Sequence, residues 1–237
     1  MTLADVSVYT ILLIAAVLSY RTGKLTRTGA VVGDIVGVFI YKGAGVTGLI
    51  LLAAFFILGL WATKWQIDKK TLTGVAEKNK GRRTAWQVLA NGGISAILGL
   101  MAWQSPAHSV FVQVMIAGSL AAATADTLSS ELGTVYGRRF FNILTFKKDT
   151  RGLDGVVSIE GTLIGLIGAM LIAAIYSISL GWSVVFCWIA LAGAVGNLID
   201  SVLGAALERR GLIGNNLVNF LNTFTGAMVC WLLVGMG

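Results

Sequence analysis

The chain has 237 residues, of which 56% are hydrophobic and 12% charged, with a formal net charge of +7. So little charge beside so much apolar surface excludes a soluble globular domain. The repeated long apolar runs are those of a polytopic helical membrane protein, without the alternating pattern of a transmembrane barrel. The basic residues sit between the apolar runs, where they fix orientation, so the positive balance is no sign of nucleic acid.

In chain order the apolar runs predict about eight spans, with seven the alternative: Val6–Tyr20, Thr28–Tyr41, Val46–Trp65, Ala85–Trp103, Ser109–Asp126, Val156–Ile178, Trp182–Ala206 and Leu217–Met236. The expected fold is an all-α transmembrane bundle, a single integral membrane domain over residues 1–237. The first run has no basic stretch before it and reads as a retained span rather than a cleaved leader. The first two runs are short for an ordinary bilayer, so one of them is a candidate for a re-entrant or interfacial segment. Pro106, the only proline, and His108, the only histidine, fall in the short turn after the fourth span, which argues against a histidine-based metal site or triad. Cys187 and Cys230 both lie inside apolar runs and have no metal-ligand spacing. Glycine pairs such as Gly33/Gly37 and Gly161/Gly165 suit close helix packing.

Eight spans place four connections on one side of the membrane. These hold every one of the 18 basic residues except Lys42. By the positive-inside rule that side is cytoplasmic and both termini are outside. The polar residues of the spans gather near the same side: Asp34, Gln87 and Asn91, then Asp126, Thr127, Ser130 and Glu131, then Ser158 and Glu160, then Asn197, Asp200 and Ser201, then Asn216, Asn219 and Asn222. Ionisable groups inside membrane segments are costly and mark functional sites. A transport path would carry polar groups through to the far side. This layer predicts instead a site open to one face, where a soluble reagent meets a membrane-held one.

The densest part is Ala125-Asp126-Thr127-Leu128-Ser129-Ser130-Glu131-Leu132-Gly133. Asp126 and Ser130 are four apart and share a helix face, whereas Glu131 is turned away. Either the helix loosens at Ser129-Ser130 or the two acids serve different partners. Basic loops around carboxylates suit a polyanion held through Mg²⁺, a hard cation taken by one or two carboxylates plus phosphate oxygens. Asp126 and Asp200, with Asp34 as a third acid, are the candidate metal ligands. Asp126, Glu131 and Asp200 are the candidate catalytic acids. Arg82, Arg83, Asn91, Arg138, Lys147, Asn216 and Asn219 are the candidates for nucleotide and phosphate binding. No Gly-rich loop followed by Lys-Ser or Lys-Thr is present, and no kinase signature set, so any nucleotide chemistry belongs to a membrane-specific class.

Five short motifs carry a resemblance when taken in order: Gly81-Arg82-Arg83 with Gln87-Val88-Leu89-Ala90-Asn91; Ala125-Asp126-Thr127 with Ser130-Glu131-Leu132-Gly133; Asp154-Gly155-Val156-Val157-Ser158 with Gly161-Thr162; Asp200-Ser201-Val202-Leu203-Gly204-Ala205; and Asn215-Asn216-Leu217-Val218-Asn219. The set resembles the integral membrane family of phytyl-phosphate kinase of the plant vitamin E (tocopherol) pathway, also described as transmembrane protein 19-like or domain of unknown function 92 proteins. The resemblance implies a membrane-embedded phosphotransferase that uses CTP or another NTP with Mg²⁺ to convert a prenyl monophosphate, phytyl or geranylgeranyl, to the diphosphate. It implies a prenyl-phosphate lipid and a nucleotide as partners, no nucleic acid, and a cytoplasmic active site in a prokaryotic plasma membrane or its equivalent. An oligomer is compatible with it. Val156, where the family usually has a second glycine, and Leu128-Ser129, where it often has Trp-Ala, depart from the pattern. The alternatives are a kinase or transferase acting on another isoprenoid alcohol or lipid phosphate, and an ion-coupled transporter.

Overall fold

The computed structural model describes residues 2–74, 81–105 and 109–236. Lys78 and Lys80 of the second basic loop, and Pro106 and His108, lie outside the described residues. Among the described residues the long helices are α1 (Leu3–Arg21), α2 (Arg27–Lys64), α4 (Ala85–Gln104), α5 (Ser109–Tyr136), α6 (Ile159–Leu180), α7 (Val185–Leu203) and α8 (Asn215–Met236). All seven are long and apolar enough to cross a membrane. A short α3 (Ile67–Leu72), a π-helical turn (Gly204–Glu208) and a two-stranded antiparallel hairpin, β1 (Phe141–Asn142) with β2 (Val156–Val157), complete the chain.

Helix α2 replaces two predicted spans, and it is not straight. Gly45 carries φ 61° and ψ −154°, outside helical values, in the middle of its 38 residues. A straight helix would separate Gly29 from Gly59 by about 45 Å. Both nonetheless rest on one residue: a side chain on Gly29 would touch the Arg83 carbonyl, and one on Gly59 the Arg83 guanidinium. The helix therefore doubles back at Gly45, and residues 27–44 and 46–64 form two antiparallel arms. The seven long helices thus make eight legs. Glycine serves at the reversal because other side chains rarely adopt that backbone conformation.

Side-chain N-caps fix where helices begin. Thr2 and Asp5 form a capping box on α1, Thr84 and Gln87 form one on α4, and the Ser158 hydroxyl accepts from Gly161 N at 3.0 Å on α6. The last of these corrects the sixth predicted span, whose first residues, Val156 and Val157, belong to β2.

Helix α5 is the centre of the bundle. Ile116, Ala117, Leu120, Ala121, Ala122, Ala123 and Ala125 are all at 0% exposure. Its small residues admit neighbouring backbones: Gly118 packs on Gly226 of α8, Ala121 on Gly193 of α7, and Gly133 on Gly161 of α6. The fifth predicted span stops at Asp126, but α5 continues unbroken to Tyr136, so Asp126 lies within a helix rather than at its end.

The legs also sort the charge. Lys24 lies beside Arg83, Lys69 donates to the Val135 carbonyl, Arg151 to the Thr134 carbonyl, and Arg209 pairs with Asp149, all at one end of the bundle. At the other end Lys42 pairs with Asp5 at 3.2 Å and stands over the rings of Tyr9, Tyr41 and Trp103.

Candidate active site at the basic end of the bundle

A cavity of about 420 Å³ opens at the basic end among α4, α5, α7, α8 and the 137–158 segment. Helix α5 supplies Asp126, Ser130 and Thr134, which at spacings of four share one face. Helix α7 and its π-turn supply Asn197, Asp200, Ser201, Gly204 and Glu208, a stripe that continues past the end of the apolar run. Asn215 and Asn219 come from α8, and Gln87 and Asn91 from the first turns of α4.

The 137–158 segment forms the roof through Phe140, Leu153 and Asp154. Gly155 has φ +70°, and a side chain there would strike Ala205 of the π-turn, so the roof meets α7 backbone to backbone. On the solvent side Arg209 clamps Asp149 through two contacts of 2.5 and 3.3 Å. The guanidinium, with the Thr150 N–H second, holds the Asp149 carboxyl down at about 2, and the pairing pushes Arg209 up.

Asp126 and Asp200 lie beside each other at the floor of this cavity, with the Asn222 amide next to Asp200. The Asp200 Oδ2 atom is buried with no hydrogen-bond partner among the described residues, as are both polar atoms of Asn222. Glu208 faces Asp154 and the Asn215 side chain. Among the described residues, five carboxylates thus line a space with one guanidinium, that of Arg83.

Glu131 answers the question raised by its register. Helix α5 does not loosen; the acid serves a different partner. Lys70 of α3 donates to Glu131 Oε2 at 2.5 Å and to the Ala62 carbonyl at 2.7 Å.

The other predicted residues divide. Arg83, Asn91 and Asn219 line the cavity together with the acids. Arg82, Arg138, Lys147, Asn216 and Asp34 are absent from its lining. Arg82 donates to the Leu25 carbonyl at 3.1 Å and sits over Tyr20. Arg138 and Lys147 are exposed on the roof segment, and Asn216 faces a groove on the lipid side with Trp86. Asp34 lines a separate apolar groove, so the structure does not bring it to Asp126 and Asp200. Among the described residues no three His, Cys, Asp or Glu side chains are grouped as a metal cage.

The lining residues missed as candidates include Asp154, Glu208 and Asn215. Asp154 stood in a quoted motif, Glu208 continues the helical stripe from Asn197 and Asp200, and Asn215 is the residue that shares a face with Asn219 and Asn222.

Comparison with known proteins agrees with this architecture. The family described as integral membrane protein DUF92 matches residues 10–227. The chain is 32% identical to Protein VTE6, chloroplastic, of Arabidopsis thaliana, over 88% of this chain and 65% of that protein. It is 33% identical to the uncharacterized membrane protein MJ0933 of Methanocaldococcus jannaschii, over 92% of this chain and 90% of that one. Protein PGR of Arabidopsis thaliana is 32% identical over 81% of this chain and 75% of its own length. The chain spans just under two thirds of the chloroplast relative's length. No solved structure matches. With the family matching most of its length, this chain belongs to the integral membrane protein DUF92 family.

Proposed function

We propose that the protein is a CTP-dependent prenyl-phosphate kinase, converting phytyl or geranylgeranyl monophosphate to the diphosphate at the cytoplasmic face of a prokaryotic plasma membrane or its equivalent. One observation carries this reading: a carboxylate-lined cavity at the basic end of the bundle stops at the closed core of α5, where Ala117, Leu120, Ala121 and Ala123 are fully buried. A site closed below and open to one face suits transfer between a soluble donor and a membrane lipid. It does not suit passage across the membrane. The resemblance carried by the five motifs points the same way.

The acids need a cation if phosphates are to enter. With Glu131 paired to Lys70, four carboxylates against one arginine among the described lining residues repel a polyphosphate. The orphaned Asp200 Oδ2 beside Asp126 fits Mg²⁺, which keeps phosphate and water among its ligands and needs no protein cage. When bound, Mg²⁺ would neutralise charge on the donor phosphates and on the transferring group. Asp126 and Asp200 would hold it, with Asn222 supporting Asp200.

The remaining chemistry is positioning. An oxygen of the prenyl monophosphate attacks the γ-phosphorus of CTP. The bond from that phosphorus to the β,γ-bridging oxygen breaks, and CDP leaves with the electron pair. The attacking oxygen is already anionic, so no strong base is required. A Glu131 engaged by Lys70 agrees with a monophosphate acceptor better than with an alcohol whose proton must be removed. Arg83, whose guanidinium lies over Phe55 and Phe56, would meet the lipid phosphate, and the roof at Phe140 and Leu153 would exclude water.

The test is release of CDP by purified protein given CTP, Mg²⁺ and a panel of prenyl alcohols and monophosphates. Release with the monophosphates supports the reading. Release with no acceptor in the panel overturns it.

A further inference from the structure

Beside the polar cavity lies an apolar groove of about 260 Å³, walled by α1, both arms of α2 and α4. Its walls include Leu12, Ala16, Leu52, Phe56 and Val88. Arg83, Gln87 and Asn91 line both spaces, so the groove and the cavity meet at these three side chains. Asn91 is 8% exposed and donates from Nδ2 to the Gln87 carbonyl at 3.0 Å. Its Oδ1 is buried at this junction with no hydrogen-bond partner among the described residues. A cationic guanidinium and an unsatisfied amide thus stand where an apolar slot opens into a polar chamber.

That arrangement has the polarity of a lipid anion: hydrocarbon on one side, headgroup on the other. The slot also has a route from the bilayer. Its outer wall, α1, has no buried residue; it rests on α2 with Leu12 seated against Gly37, and the Asp5–Lys42 pair fastens its far end. A larger groove of about 640 Å³, beside Phe39, Trp86, Gly93 and Phe220, also faces lipid, but it shares no lining residue with the polar cavity. A chain seated there would leave its phosphate away from Asp126 and Asp200.

We infer that the groove between α1, α2 and α4 seats the hydrocarbon chain of the lipid phosphate, whose headgroup enters the cavity past Arg83, Gln87 and Asn91. The inference rests on the lipid-phosphate reading of the cavity, and it assigns the residues that select the chain. Long chains contact the length of the slot, whereas short ones use only its mouth. Ala16 and Ala53, whose small side chains leave the slot open, are therefore specificity-determining positions.

The experiment is photo-crosslinking of the full-length protein in lipid nanodiscs with a prenyl monophosphate bearing a diazirine on its chain, without nucleotide, and adducts mapped by mass spectrometry. The expected adducts fall on residues 11–19 of α1 and 49–56 of α2, and excess geranylgeranyl phosphate removes them. Ala16→Trp and Ala53→Trp, each checked for monodisperse folding, reduce these adducts by roughly tenfold while geranyl phosphate binding is retained. Adducts concentrated at Trp86 and Phe220, or spread without competition over the lipid-facing surface, overturn the inference. Because nucleotide is absent, competed adducts in the slot with no phosphoryl transfer in a separate assay would sink the kinase reading alone. Transfer with adducts elsewhere would sink the slot alone.

Discussion

Lys70 and Glu131, 61 positions apart, form a partly buried ion pair that ties the short α3 to the organising motif of α5. The ammonium is 1% exposed and spends its other hydrogen bonds on the Ala62 and Thr63 carbonyls at the end of α2. Three segments, the ends of α2 and α5 and all of α3, are joined at one nitrogen. Removing one member leaves the other charge without its counterpart, which costs at most about 3–5 kcal/mol for a fully buried pair and less here because Glu131 borders the cavity. Lys70→Met is expected to destabilise the protein by that order, and Lys70→Met with Glu131→Leu to recover part of the loss. Thermal unfolding in detergent measures both. An unchanged melting temperature in the single variant would remove this pair from the framework.

The paired acids carry the sharpest prediction about chemistry. Asp126→Asn and Asp200→Asn keep side-chain size while removing charge, so the bundle is expected to remain folded. Turnover is expected to fall at least about a hundredfold in each, the scale of losing one transition-state electrostatic contact. Steady-state kinetics on monodisperse protein decides it. Near-normal turnover in either variant would make that acid structural.

Asp34 separates two roles that its sequence position allows. In the slot, its carboxyl has a buried Oδ1 with no partner among the described residues, which is unfavourable beside hydrocarbon. Asp34→Leu is therefore expected to lower KM for long-chain prenyl phosphates by a few fold and to leave kcat within about twofold. A hundredfold loss of kcat would return Asp34 to the metal site.

Acid should loosen the roof. The Asp149 carboxyl is held at about 2 by Arg209, against an ordinary value of 3.8. A depressed carboxyl contributes its stabilisation above the ordinary value and loses it as pH falls through the folded one. The Asp149–Arg209 clamp is thus intact above about pH 4 and is lost between about pH 4 and pH 2. Hydrogen exchange over residues 137–158 should accelerate in that window, and Arg209→Gln should exchange rapidly on both sides of it. A profile for the variant identical to that of the parent would show that the clamp does not hold the roof.

Much of the bundle was legible because hydrocarbon imposes long apolar runs and loops collect the basic residues. The eight legs were countable even though Gly45 joins two of them without a polar loop, because Lys42 stands near the reversal and marks the opposite end. What stayed hidden depended on register between neighbours. Leu25 and Arg83 form a bridge of extended backbone, where adjacent side chains point to opposite sides. Arg83 therefore enters the cavity while Arg82 turns to Leu25 and Tyr20. Asn215 and Asn216 are adjacent on a helix, about 100° apart, and only the first faces the acids. Two-residue strands carry no readable period, so the β1–β2 hairpin and its roof were absorbed into a loop and the start of a span. Glu131 lines the cavity as its nearness to Asp126 suggests, but its partner, Lys70, comes from a helix of six residues with no apolar period to announce it.

The central claim is that the polar cavity transfers the terminal phosphate of CTP to a lipid that is already phosphorylated. The most direct measurement follows γ-labelled CTP into lipid in the presence of Mg²⁺, with phytyl phosphate and phytol offered side by side to the purified protein. The account predicts labelled phytyl diphosphate, one CDP for each, and no label in phytol. Label in phytol alone would contradict the monophosphate assignment, and label in neither lipid would contradict the kinase itself.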